Sequence, residues 1–193
     1  MNIVNVGYDS TNYYVLSDSK PRLLIDIGWP GTLPKFQRQF QRMDIKITDI
    51  PYCVATHYHP DHAGLAQDLK NMGVKLIALE NQVTTLPVLK SYVKPSDNFV
   101  DIKTTDNTLL TFADSRTFLA RLGIQGEIIP TPGHSDDSIT LILDDGSAFT
   151  GDLTYPLLAS DDVNDVVNQS WEKIRSFKVK QVYPGHGPVW KLE

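Results

Sequence analysis

The sequence predicts a β-rich α/β fold in which stacked sheets are covered by helices. Nine short runs, most of them rich in β-branched residues and each bounded by turn residues, read as strands. Two stretches carry a well-formed helical stripe of apolar residues. The strands come in meander-like groups with helices between the groups, an order that favours packed sheets over one regularly alternating parallel sheet.

Taken in chain order, the strand candidates are Ile3 to Val6, Tyr13 to Leu16, Arg22 to Ile27, Tyr52 to Ala55, Lys75 to Leu79, Gly126 to Ile129, Ile139 to Leu143, Ser147 to Thr150 and Gln181 to Tyr183. Asp144-Asp145-Gly146 lies between two of them and reads as a hairpin, because Gly takes the positive φ that such a turn requires. From Asp61 to Met72, Ala63, Leu65, Ala66, Leu69 and Met72 trace one helical face, with Gly73 as a C-terminal stop. A second helix is predicted from Val163 to Phe177, burying Val166, Val167, Trp171 and Ile174. Pro34 to Met43 and Ser115 to Leu122 carry weaker helical patterns, and Thr84 to Tyr92 reads as a helix or a long loop.

With 193 residues, 41% of them hydrophobic, the chain can bury roughly 70% of its unfolded surface. That supports one core, read as a single domain over residues 1–193. No apolar run approaches the ~20 residues that cross a bilayer, so no membrane partner is expected. Met1 to Ser10 shows no basic patch followed by an apolar stretch, which makes the cytoplasm the expected location. The single cysteine, Cys53, excludes an intramolecular disulfide, suits a reducing compartment and reads as a small buried residue. A net charge of −5 is a poor platform for phosphate backbones, so no nucleic-acid partner is expected. Nothing in the sequence sets the oligomeric state; a homodimer is compatible with it.

All five histidines fall in three short clusters, each after a strand candidate. In Thr56-His57-Tyr58-His59-Pro60-Asp61-His62, extended backbone puts His57 and His59 on one side and Tyr58 on the other. Beyond Pro60, Asp61 and His62 project from the first turn of a helix. His134 sits in Thr131-Pro132-Gly133-His134-Ser135, and His186 in Pro184-Gly185-His186-Gly187. Asp152 ends the run Phe149-Thr150-Gly151-Asp152. Five imidazoles and two carboxylates make a ligand count for two divalent cations. Without thiolate, that donor set suits Zn2+ best, and Mn2+ or Fe2+ is compatible with it. Asp26, in Leu24-Ile25-Asp26-Ile27-Gly28, reads as a carboxylate that orients a ligand imidazole or caps a turn.

At these residues the sequence resembles the metallo-β-lactamase-fold hydrolases, over about Asn2 to Pro188. The resemblance implies a four-layer αββα sandwich with a binuclear metal site at one edge of the two sheets. It implies that His57, His59 and His134 hold one metal and Asp61, His62 and His186 the other, bridged by Asp152 and a hydroxide. Two divalent cations bring four positive charges and two carboxylates with one hydroxide remove three, leaving the site about +1. A small-molecule substrate carrying negative charge, or developing it, is therefore expected. Asp61 is a further candidate for moving a proton between water and leaving group.

Exported β-lactamases of this fold use a Cys ligand or lack the bridging Asp, whereas this sequence has Asp152 and places Cys53 inside a strand. Glyoxalase-II-like thioesterases share the whole ligand set but commonly add a C-terminal glutathione-binding domain, which the seven residues after His186 do not supply. Tyr155, three residues beyond Asp152, resembles a tyrosine of acyl-homoserine lactonases and is a candidate hydrogen-bond donor to a substrate carbonyl. The expected activity is thus hydrolysis of a thioester, lactone or other ester. An iron-dependent persulfide dioxygenase and a phosphodiesterase or ribonuclease of the same fold stand as alternatives. Tyr13, Tyr14, Trp29 and Tyr58 lie beside the predicted site, although core or rim packing accounts for each. Lys94 and Arg116 read as solvated surface charges.

Overall fold

The computed structural model describes residues 1–18, 20–156 and 164–192. Its strands form two sheets. The first orders β1 (Asn2–Asn5), β2 (Tyr14–Ser17), β3 (Pro21–Ile25), β4 (Tyr52–Val54), β5 (Lys75–Leu79) and β6 (Thr108–Leu110) side by side. The second runs β11 (Trp190–Lys191), β10 (Gln181–Pro184), β9 (Ser147–Gly151), β8 (Ile139–Leu143) and β7 (Gly126–Pro130). Hairpins make β1–β3 and β7–β9 antiparallel, and crossovers make β3–β6 and the β9–β10 pair parallel.

The period-two alternation of strand side chains sorts the interior into three apolar layers. In β2, β3, β4 and β5, residues such as Leu16, Leu23, Ile25, Val54 and Ile77 face the other sheet, where they meet Ile128, Leu141 and Phe149. The intervening Val15, Leu24, Cys53 and Leu76 face outward onto Phe36 and Phe40 of α1 (Leu33–Arg42) and Leu69 of α3 (Ala66–Asn71). On the far side, Ile129, Ile142, Ala148 and Val182 pack against Val167, Trp171 and Ile174 of α5 (Asn164–Ser176). Helix, sheet, sheet, helix is the predicted αββα order. Remaining helices are α2 (Pro60–Ala63) and α4 (Phe112–Arg121), the latter capped by Thr111, whose hydroxyl accepts from the Asp114 amide at 3.2 Å.

Several local expectations are corrected. The helix predicted from Asp61 to Met72 is two pieces, separated at Gly64 and Leu65. There Pro30 packs so closely that a Cβ on Gly64 would lie 2.3 Å from its ring. Thr84 to Tyr92 resolves into a 3₁₀ helix over Leu86–Tyr92. Val166 is 45% exposed, because it lies about 100° around the helix from the buried stripe of Val167, Trp171 and Ile174. Val163, the predicted start of that helix, lies outside the described residues. β6 and β11 went unpredicted; three and two residues long, they are too short to show a pattern. Among the described residues, no helix is long and apolar enough to cross a membrane.

Candidate metal centre

The strand ends converge because parallel neighbours finish side by side. Ile25 of β3 pairs with Val54 of β4, so Asp26 and the Thr56–His62 segment leave the first sheet together. Gly151 of β9 pairs with Pro184 of β10, which sets Asp152 beside Gly185 and His186. Pro130 ends β7 and leads into His134. One cross-sheet bond, from the Ile139 amide to the Thr56 carbonyl at 2.9 Å, ties the two sheets together at this end.

All seven predicted ligands are brought together, in two adjacent groups. His57, His59 and His134 form one; Asp61, His62, Asp152 and His186 form the other; within each, the candidate donor atoms lie within 4.8 Å of one another. His59 Nδ1 faces His134 Nε2 at 3.0 Å. His186 Nε2 is 3.1 Å from Asp61 Oδ2 and 3.3 Å from Asp152 Oδ2. Asp152 Oδ2 also lies 3.7 Å from His134 Nε2, so this carboxylate stands between the groups, as a bridge must.

The residues fit a metal. His57 Nε2, His62 Nε2 and Asp152 Oδ1 are buried with no hydrogen-bond partner among the described residues. His57 Nε2 is left with no partner, which costs about 1–3 kcal/mol without a ligand, while His62 Nε2 and Asp152 Oδ1 face each other at 3.3 Å with charge but no hydrogen bond. Separations near 3.3 Å are those of donors around a tetrahedral ion with bonds of ~2.0–2.1 Å. The ring tautomers suit it too. His186 Nδ1 donates to the Ser10 carbonyl at 2.6 Å, leaving Nε2 as the lone-pair atom. His62 Nδ1 is 2.9 Å from Asp26 Oδ2, which aims its Nε2 at the cluster.

Charge in the cluster follows from burial and proximity. Burial, then the surrounding imidazoles, holds the His57 pKa well below its ordinary value, keeping a neutral ring with an available lone pair. Burial works against charge on His62, but the carboxylates of Asp26, Asp152 and Asp61 prevail and raise its pKa well above the usual range. His62 Nε2 sits 3.3 Å from both Asp61 and Asp152, off hydrogen-bond geometry, so charge rather than directed bonding carries those contacts. Burial pushes Asp61 up, yet His62 and His186 hold it at about 2. A proton on His62 thus stands where carboxylates otherwise require a cation.

Sequence reasoning missed the scaffold behind the ligands. Thr56 donates its amide and hydroxyl to Asp26 Oδ1 at 2.7 and 3.0 Å. Asp137 accepts the Tyr58 amide at 2.8 Å, linking the first motif to the chain after the second. Buried Gln82 donates to the carbonyls of Ala55 and Asp137. Thr11 donates to Asp61 Oδ2 at 3.3 Å. Gly185 allows a close approach: a Cβ there would lie 2.5 Å from Asp152 Oδ1 and 2.6 Å from His62 Cε1. Asp, Gln and Thr are common everywhere, so no sequence signal marked these partners.

A family model described as the metallo-beta-lactamase superfamily matches residues 6–186. The chain belongs to that superfamily. It is 27% identical over 190 residues to a beta-lactamase-like protein 2 homolog of Drosophila melanogaster, covering 95% of this chain and 62% of the relative. It is also 27% identical to an atrochrysone carboxyl ACP thioesterase of Aspergillus novofumigatus, covering 93% of this chain and 49% of the relative. The chain therefore spans about half to three-fifths of these relatives. A metallo-beta-lactamase family protein from Thermus thermophilus superposes with a TM-score of 0.74 at 15% identity, covering 98% of this chain and 74% of that one, which shows the shared fold.

Beside the candidate metal cluster lies a cavity of about 480 Å3, lined by His134, Asp152 and His186 together with Tyr155, Leu153 and Trp190. Tyr155 is 41% exposed there, its ring edge-on to Trp190 at 4.8 Å. Tyr13, Tyr14 and Tyr58 are buried, and Cys53 is buried as expected, while Trp29 is exposed. Arg116 is held at the surface by Asp144 and Glu127. Tyr92, unremarked in the sequence, sets its ring 5.5 Å from that of His59.

Proposed function

We propose that this chain is a binuclear zinc hydrolase that cleaves ester-type bonds, thioesters first among them, in small molecules. The observation that carries this reading is the pair of adjacent donor groups with Asp152 between them and orphaned donor atoms in both. A thioesterase-named relative of the same superfamily supports the choice of thioester. His57, His59 and His134 would hold one cation, and Asp61, His62 and His186 the other. Bound there, divalent cations bring the pKa of water toward ~7 and polarise a carbonyl.

The chain's own residues supply the rest. Asp26 keeps His62 turned toward the cluster, and the Ser10 carbonyl does the same for His186. Asp61 uses Oδ2 toward His62, His186 and Thr11, and its carboxylate would carry the proton from water to the leaving thiolate or alkoxide. The Tyr155 phenol, in the wall of the same cavity, donates to the carbonyl oxygen as negative charge develops. Substrates bearing a carboxylate are favoured by the residual positive charge of the loaded site.

The test is metal analysis of the purified protein together with a panel of thioesters, lactones, β-lactams and phosphodiesters. Two zinc per chain and turnover of thioesters or lactones is expected. Turnover of phosphodiesters alone, or one iron per chain with oxidation of a persulfide, overturns the reading.

A further inference from the structure

The cavity beside the metal cluster has a chemistry of its own. Among the described residues its only ionisable lining groups besides the phenol of Tyr155 are His134, Asp152 and His186, and no Lys or Arg reaches it. The remaining wall is largely apolar, with Leu153, Pro188, Tyr155 and Trp190 contributing. Tyr155 and Trp190 meet edge to face at 4.8 Å, and Trp190 leans on Trp171 with ring centres 5.5 Å apart. Trp171 is itself fixed, buried to 1% exposure and donating Nε1 to the Thr154 carbonyl at 2.8 Å. This braces the loop between Asp152 and Tyr155 against α5. A partly exposed aromatic pair, rigidly backed and continuous with candidate ligands, is a surface that gains by covering apolar area.

We propose that Tyr155 and Trp190 form an acyl-selecting wall that accepts an aromatic or otherwise planar apolar acyl group, so the preferred substrates are thioesters or esters of aryl acids. This rests on the hydrolase reading for the position of the scissile bond. The metal cluster meets the charge of the carbonyl, and the wall takes the uncharged remainder. Among the described residues, no side chain in it is suited to a phosphate or a second carboxylate.

The experiment has a kinetic arm and a binding arm. In the first, zinc-loaded protein hydrolyses N-acetylcysteamine thioesters of acetate, butyrate, benzoate and 2-naphthoate. The ratio of kcat/KM for naphthoyl over acetyl should be well above one and should fall roughly tenfold or more in Trp190→Ala and in Tyr155→Ala. Tyr155→Phe keeps the ring and should keep the ratio, even where the lost hydroxyl lowers kcat for every thioester alike. The second arm measures calorimetric binding of methyl 2-naphthyl ketone, which has no scissile bond and no carboxylate, and which Trp190→Ala should weaken to the same extent. Tyr155 lies on a loop, so its variants serve should Trp190→Ala fail to fold. Acyl ratios near one in the wild type, or unchanged in the alanine variants, overturn the wall. Ketone binding that depends on Trp190 in a protein that hydrolyses no thioester, lactone or other ester keeps the wall and overturns the hydrolase reading; the absence of both overturns both.

Discussion

Asp26 Oδ2 lies 2.9 Å from His62 Nδ1, and both side chains are almost completely buried. Asp26 holds this position with φ at +63°, a left-handed conformation that Asp and Asn tolerate better than other side chains. The carboxylate joins β3 to the first histidine motif and fixes which nitrogen of His62 faces the cluster.

Removing that partner should therefore act on metal binding before it acts on chemistry. Asp26→Ala is expected to weaken zinc affinity by about 10–100-fold, the usual effect of losing an orienting carboxylate. Asp26→Asn keeps the backbone conformation and one acceptor and should lie between wild type and Ala. Chelator competition measures both.

Gly185→Ala should damage the centre by crowding it. The added methyl would meet Asp152 Oδ1 at 2.5 Å and His62 Cε1 at 2.6 Å, a clash of the kind that costs roughly 1–3 kcal/mol in packed regions. The expected outcome is weakened zinc binding with a far-ultraviolet circular dichroism spectrum like that of wild type. Wild-type affinity in this variant would mean that Asp152 and His62 are not held as described.

Gln82 shows how far the site depends on distant residues. Its side chain serves the carbonyls of Ala55 and Asp137 and accepts the Leu79 amide at 3.2 Å, all in the buried interior. Gln82→Leu should cost about 1–3 kcal/mol for each group left unpaired, read as a lower urea midpoint.

Cys53 offers a probe of opening. Burial between β3 and β5 pushes its thiol up to about 12, and it is the chain's single cysteine. At pH 8 a disulfide reagent such as Ellman's should leave the native protein unmodified and react with one thiol per chain in guanidinium chloride. Rapid modification of the native protein would show that β4 is accessible.

The candidate ligand set was legible because its chemistry is rare and concentrated: every histidine lies in one of three motifs, and Asp152 follows a strand between two of them. The layers were legible because Leu23, Leu24 and Ile25 alternate between two cores, the pattern of a strand buried on both faces. Short edges such as Trp190–Lys191 were not, since two residues carry no periodicity. The break at Gly64 has no local signature, and the close approach of Pro30 there, from more than thirty residues away, exists only in the folded chain. Thr56, Gln82 and Asp137 act through hydrogen bonds between segments distant in sequence, which no local pattern encodes. Tyr155 was singled out by its resemblance to a lactonase tyrosine at the same offset from the Asp, but its ring partner Trp190 lies 35 residues further along the chain.

Zinc titration of the metal-stripped protein, with bound ions counted per chain at equilibrium, tests the central claim most directly. The two donor groups predict two tight zinc ions per chain in the wild type and one in His134→Ala, which removes a donor from the first group and leaves the second whole. A wild-type stoichiometry of one or none would contradict the binuclear centre.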